Sequence, residues 1–193
     1  MSEVVDIRGQ KLLYHLTSLE NLDSILRGGL QPRAGLSGFT DIADCEILTK
    51  RQVLGLDRYV PFHWFAKNPF DGSVLIRRPN STFVLISVRR ELAKNAGWKV
   101  IPRHPLAHDE IQLLDFDPGF DAIDWPRMNT RDYHDPVCKS ICMAERLAPS
   151  AVSPVLFFKI FAPRNDIEQI CRQKIRSAGV NVDVTANPRM FHQ

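Results

Sequence analysis

The clearest pattern of apolar and polar positions lies near the start of the chain. Lys11 to Leu16 reads as a short strand entering the run Tyr14-His15-Leu16-Thr17. The period then changes: Leu19, Leu22, Ile25 and Leu26 share one helical face, and Asn21 and Ser24 lie on the other. Thr17 and Glu20 have the spacing of a capping box, and Gly28-Gly29 supplies a stop. Residues 31–57 have weak periodicity and interspersed glycines, which predicts a long loop with one helical turn around Ile47 to Val53. Loops of that length in a compact domain are functional or disordered.

Further along, Tyr59 to Phe65 is aromatic and β-prone, with Pro61 marking a strand start or edge. Val74 to Arg77 and Thr82 to Val88 read as two strands around a Pro79-Asn80 turn, and Arg90 to Ala96 as a short helix stopped by Gly97. Trp98 to Asn129 holds an acidic, proline-containing stretch. Val155 to Phe161 is an apolar strand, Asp166 to Ser177 a polar helix, and Val180 to Val184 an alternating final strand after Gly179. Short strands with few long helices predict a mixed α+β fold, and 193 residues fit a single domain spanning 1–193.

Composition changes this picture little. The chain is 44% hydrophobic and 24% charged, ordinary for a globular protein, and no apolar run approaches the ~18 residues of a membrane span. Met1 to Gln10 has no apolar stretch of the signal-peptide kind, so the cytoplasm is the expected compartment. Cys45, Cys138, Cys142 and Cys171 then read as free thiols. His134, Cys138 and Cys142 are four apart, yet without a CxxC pair or a clear fourth ligand they read as a partly buried face rather than a metal site. The net charge of +3 decides nothing about partners. Lys50, Arg51 and Arg58, like Arg77, Arg78, Arg89 and Arg90, read as solvated faces compatible with a phosphate backbone.

General catalytic motifs are absent: the sequence has no GxGxxG, P-loop, GxSxG or HExxH. His104 and His108 flank Pro105, which argues against a shared helix face, so they are expected to be loop histidines. Three features stand out: His15 at the end of the first strand, the aromatic run Tyr59-Val60-Pro61-Phe62-His63-Trp64-Phe65, and Glu145 within Met143-Ala144-Glu145-Arg146-Leu147. Taken singly, each is as well explained structurally: a histidine holding backbone carbonyls, an aromatic core, a glutamate exposed or paired with arginine.

In combination they resemble a known family. The run Leu13-Tyr14-His15-Leu16-Thr17 with the Asn21-Leu22 helix is similar to the opening of the DarT family. Tyr59-Val60-Pro61-Phe62 with Asn68-Pro69-Phe70, then Ile123-Asp124-Trp125, then Met143-Ala144-Glu145 resemble its later motifs, in order. The turn Ala66 to Phe70 lacks the family's usual Arg-Ser-Pro-Met, and the loop before Arg51 is shorter than its common pattern. The resemblance implies an ADP-ribosyltransferase-like split, twisted β-sandwich with flanking short helices and NAD⁺ bound in a cleft between two sheets. It implies ADP-ribose transfer from NAD⁺ to a base, thymine or guanine, in single-stranded DNA, by a monomeric toxin held in check by a macrodomain antitoxin, without a metal. Carried over, His15, Leu16, Thr17, Asn21 and Ser24 would border NAD⁺, Glu145 would be the catalytic carboxylate, and Arg51 the active-site cation, with its neighbour Lys50 the alternative.

These residue types suit the chemistry. Cleavage of the nicotinamide–ribose bond develops positive charge on the sugar, which a carboxylate stabilises, and an arginine complements the pyrophosphate. A base inside a duplex could not reach such a cleft, which favours a single strand, and Phe39, Phe70 or Trp98 either stack on it or belong to the core. The rival readings are transfer to RNA or protein, and a non-catalytic nucleic-acid-binding module.

Overall fold

The computed structural model describes residues 6–42, 45–105 and 112–192. Strand β1 (Leu12–Ser18) is followed by a 3₁₀ turn (Leu19–Asn21) and helix α1 (Leu22–Gly28). The cap is Ser18, whose Oγ accepts from Glu20 N at 3.3 Å, one residue later than the capping-box spacing predicts. Thr17, the residue the spacing points to, instead accepts from Asn21 Nδ2 through its Oγ1. Leu22, Ile25 and Leu26 are buried, as the periodicity requires.

Among the described residues, seven strands lie in one hydrogen-bonded order, with β1 at the centre. β1 is flanked on one side by β3 (Phe83–Arg89), β6 (Lys159–Ala162) and β7 (Asp183–Ala186). On the other side are β2 (Val60–His63), β5 (Glu145–Ala148) and β4 (Lys99–Ile101). Neighbours are antiparallel except β6 and β7, which run parallel around helix α8 (Asn165–Ala178). The two halves meet weakly: β1 pairs with β3 along its whole length but with β2 only through Tyr14 and His63.

Pro61 accounts for this parting. The His15 ring bonds the Pro61 carbonyl, so that residue's ladder groups face β1, where proline has no N–H to offer. The split of the sheet falls there.

Burial sorts side chains by alternation. Val84, Ile86 and Val88 of β3 enter the main core with Leu13, Phe62, Trp64 and Trp98, while Phe83 and Leu85 face a second cluster with Leu16, Val74 and Phe191. The expected strand at Val74–Arg77 is instead the second half of helix α3 (Pro69–Arg77). Asn68 caps it, its Oδ1 accepting from Phe70 N at 2.9 Å and Asp71 N at 3.1 Å, and Pro69 occupies the first helical turn. A cap and proline outweigh the β propensity of a three-residue apolar run.

The expected helical turn near 47–53 is helix α2 (Cys45–Val53). The expected strand from Val155 begins with a 3₁₀ turn (Pro154–Leu156), and only Lys159–Ala162 pairs. The last strand is shifted to Asp183–Ala186. Helix α4 (Arg90–Asn95) and α8 end before Gly97 and Gly179, both left-handed, as the glycines predict. Between β4 and β5 lie α5 (Phe116–Asp121), α6 (Trp125–Thr130) and α7 (Pro136–Ile141); Asp124 and Asp135 cap the latter two through Arg127 N and Val137 N.

Arg90 is not on a solvated face. It is buried, and its guanidinium donates to the carbonyls of Ile7, Arg8, Leu12 and Trp64, fastening the chain start to the sheet. The Cys138 and Cys142 thiols donate to the carbonyls of Arg127 and Met128, and burial raises Cys142 to about 12. Among the described residues no group of His, Cys, Asp and Glu is placed to hold a metal. His108, Asp109 and Glu110 lie outside the described residues, as does the Cys45 side chain. Among the described residues no helix is long and apolar enough to cross a membrane.

Candidate active site

One pocket opens where the sheet parts. His15, Leu16 and Thr17 from β1, Asn21 and Ser24 from the start of the first helical segment, Arg51 from α2 and Glu145 from β5 all line it. Residues far apart in sequence thus converge because β1 and β5 flank β2 on either side. Lys50 is exposed and not part of the lining, which leaves Arg51 as the cation at this position.

Glu145 begins β5 and is only 6% exposed. Arg51 Nη1 donates to both of its carboxylate oxygens at 2.8 Å. The pair is nearly dry, so each charge is held by the other rather than by water. Arg51 Nη2 is buried and has no hydrogen-bond partner, leaving a donor of this guanidinium unused beside the pocket.

The His15 Nδ1 lies 2.8 Å from the Pro61 carbonyl, which only accepts, so Nδ1 carries a proton and the neutral ring presents its lone pair at Nε2. Burial lowers its pKa, opposed by that hydrogen bond. Thr17 Oγ1 accepts from Asn21 Nδ2 at 3.5 Å, and Ser24 Oγ donates to the Asn21 carbonyl at 2.8 Å. Asn21 itself grips Thr40, its Oδ1 accepting from the backbone N–H at 2.9 Å and its Nδ2 donating to the carbonyl at 2.8 Å.

Sequence reasoning did not single out His63, which lies directly opposite Glu145 in the β2–β5 pairing, so both side chains project from the same face. It stacks on Phe70 at 5.4 Å, and burial lowers its pKa to about 4 against the attraction of Glu145. Its Nδ1 is buried without a partner. Alternation within the aromatic run held the signal: Phe62 and Trp64 enter the core, while Tyr59, Pro61 and His63 line the pocket.

His104 also lines the pocket, its backbone N–H donating to the Ser140 carbonyl at 2.7 Å. Its pKa is lowered by burial, opposed by Glu145. No local pattern marks a loop histidine of this kind. Among the candidate stacking aromatics, Trp98 is core, packed 5.1 Å from Phe62. Phe39 and Phe70 are half-buried and line the pocket, and Phe39 has the Arg33 guanidinium 5.8 Å from its ring centre.

The arrangement can stabilise positive charge at Glu145, accept hydrogen bonds from sugar hydroxyls at His15 Nε2, and donate to an anion from Arg51.

Comparison with known proteins agrees with this fold. The fold matches DarT of Thermus sp. 2.9 in complex with ADP-ribosylated single-stranded DNA, at a TM-score of 0.83 and 17% identity, over 94% of this chain and 96% of that one. It matches the same protein in complex with NAD⁺ at 0.78 and 15% identity, over 95% and 98% of the two chains. Thermosipho africanus DarTG in complex with ADP-ribose matches at 0.75 and 19% identity, over 94% of this chain and 51% of that one. No curated protein matches by sequence. The profile described as "DarT: ssDNA thymidine ADP-ribosyltransferase" matches residues 14–192, and the chain therefore belongs to the DarT family of NAD-dependent ADP-ribosyltransferases acting on single-stranded DNA.

Proposed function

We propose that this chain is a single catalytic domain, acting as a monomer, that transfers ADP-ribose from NAD⁺ to thymine in single-stranded DNA as the toxin of a toxin–antitoxin pair. The convergence of His15, Arg51 and Glu145 on one pocket carries this reading. The thymidine specificity in the family's description supports the choice of thymine over guanine.

The residues fit NAD⁺ as the donor substrate. His15 Nε2 accepts from a ribose hydroxyl, Leu16 and Thr17 wall the nicotinamide end, and Ser24 borders it. Arg51 donates to the pyrophosphate through the guanidinium nitrogen that Glu145 leaves unused. The bond from ribose C1′ to the nicotinamide nitrogen breaks, and its electron pair leaves with neutral nicotinamide. Glu145 stabilises the oxocarbenium-like sugar and bonds its 2′-hydroxyl. Thymine in DNA has one ring N–H, at N3; that nitrogen bonds C1′ and its proton passes to solvent, with Arg51 positioning the base. Each Glu145 oxygen accepts one bond from Arg51 and has a lone pair left for the sugar. Phe39 and Phe70 provide faces for the incoming base. A macrodomain that removes ADP-ribose is the antitoxin partner this activity calls for.

The test is incubation with NAD⁺ and single-stranded oligonucleotides of differing base content, beside Glu145→Ala, read by mass. An ADP-ribose adduct on thymine-containing strands that requires Glu145 is expected. An adduct on guanine only would overturn the base assignment. NAD⁺ consumption without a DNA adduct would move the acceptor to RNA or protein, and no consumption would leave a binding module.

A further inference from the structure

Asn21 lines the pocket, yet its side chain is already engaged. Nδ2 donates to the Thr40 carbonyl and to Thr17 Oγ1, which uses both amide hydrogens, and Oδ1 accepts from Thr40 N–H. We infer that Asn21 is a positioning residue: it clasps the loop of residues 36–42 against the first helical segment, making that loop a fixed wall of the nucleotide pocket, rather than touching NAD⁺ itself.

Backbone grip by a side chain is the first support. Thr40 lies in neither helix nor strand, and both of its main-chain polar groups are satisfied by one amide. Only a side chain holding a donor and an acceptor on one short planar group does this; aspartate lacks the donor and serine the reach. The same corner has further fastenings: Thr40 Oγ1 donates to Glu20 Oε2 at 2.8 Å, and Arg33 Nε donates to Asp41 Oδ2 at 2.6 Å.

What the clasp holds is the second support. Phe39, Thr40, Asp41 and Ile42 all form pocket wall, and the chain continues toward α2, which carries Arg51. The wall is otherwise poorly ordered by sequence, with Gly35 and Gly38 beside it and Gly38 left-handed. Ordering such a loop in advance reduces the entropy that a ligand must overcome on binding. The inference rests on the NAD⁺ reading for its consequence, although the clasp itself can be measured without NAD⁺.

Amide hydrogen exchange on the full chain, with no nucleotide present, provides the direct readout. In the wild type the Thr40 amide is expected to exchange about tenfold more slowly than those of Gly38 and Phe39, the effect of a retained side-chain hydrogen bond. Asn21→Ala is expected to abolish that protection and raise the KM for NAD⁺ about tenfold with kcat nearly unchanged, as the loss of a preformed wall requires. Asn21→Asp, which keeps the acceptor for Thr40 N–H, is expected to retain part of the protection. An unprotected wild-type Thr40 amide would overturn the clasp, and needs no variant to fold. Loss of NAD⁺ affinity in Asn21→Ala with Thr40 exchange unchanged would overturn it in favour of direct contact. If the wild type consumes no NAD⁺, the functional reading fails, while the exchange measurements still decide the clasp.

Discussion

Glu145 and Arg51 meet through one guanidinium nitrogen that reaches both carboxylate oxygens, in a site where neither side chain is more than 11% exposed. Arg51→Lys replaces a planar fork by a single ammonium, and at a shielded charged contact the loss is expected to slow transfer about tenfold to a hundredfold. Adduct mass against time measures this; a rate within twofold of the wild type would remove Arg51 from the active site. His63 sets a pH dependence. Its folded pKa of about 4 lies below the ordinary 6.5, so between those values the unfolded chain binds more protons than the folded one. The contribution of His63 to stability is therefore complete above pH 6.5 and declines as the pH falls toward 4, by up to about 3 kcal/mol. His15 and His104 are shifted in the same direction. Asp71 opposes them: burial raises its carboxyl from 3.8 to about 7, so its contribution is complete below pH 3.8 and declines as the pH rises toward 7. The substitution His63→Phe isolates the His63 contribution, and is expected to gain stability relative to the wild type at pH 4.5 compared with pH 7.5 in urea titrations. An equal difference at both pH values would refute the assignment.

Helix α3 carries Phe70 to its stack on His63, and Asn68 starts that helix by accepting from two backbone N–H groups. Asn68→Ala is expected to cost about 1–2 kcal/mol in urea unfolding, with the loss of a cap as its cause. A change below 0.5 kcal/mol would mean that the burial of Pro69, Asp71 and Val74 holds the helix without its cap. This helix also marks where the chain was misleading. Val74-Leu75-Ile76 carries β-branched residues in an unbroken apolar run, yet only Val74 is deeply buried and Ile76 is largely exposed. Apolar spacing could not separate a short buried strand from a helix that buries only Val74 of this run; the Asn68-Pro69 signal could. The Asp-x-Pro and Asp-Pro starts of α6 and α7, at Asp124 and Asp135, carry the same kind of signal.

The whole chain joins through the main core, where Trp64, Trp98 and Trp125 pack with residues from both halves of the sheet. A single domain should therefore lose tryptophan fluorescence and far-ultraviolet circular dichroism in one coincident transition. Separate midpoints would show that the halves on either side of the β1–β2 parting unfold independently. That parting sets the limit of what a linear reading could reach. β1, β2, β3 and β6 in outline, the first helix and the glycine stops were legible because they depend on neighbours within a few residues, whereas the short strands β4 and β5, three and four residues long, carry no periodic signal. His15 and Glu145 were legible as a combination of motifs. That His63 lies opposite Glu145 depended on strand register, and that Arg51 rather than Lys50 faces it depended on how α2 is set against β5, which brings residues 94 positions apart within hydrogen-bond reach. Asn21 shows the same boundary most sharply. Its type and place near the pocket could be read from the chain, but its grip on Thr40 depends on where a glycine-flanked loop returns, and long-range chain closure of that kind leaves no periodic trace in sequence.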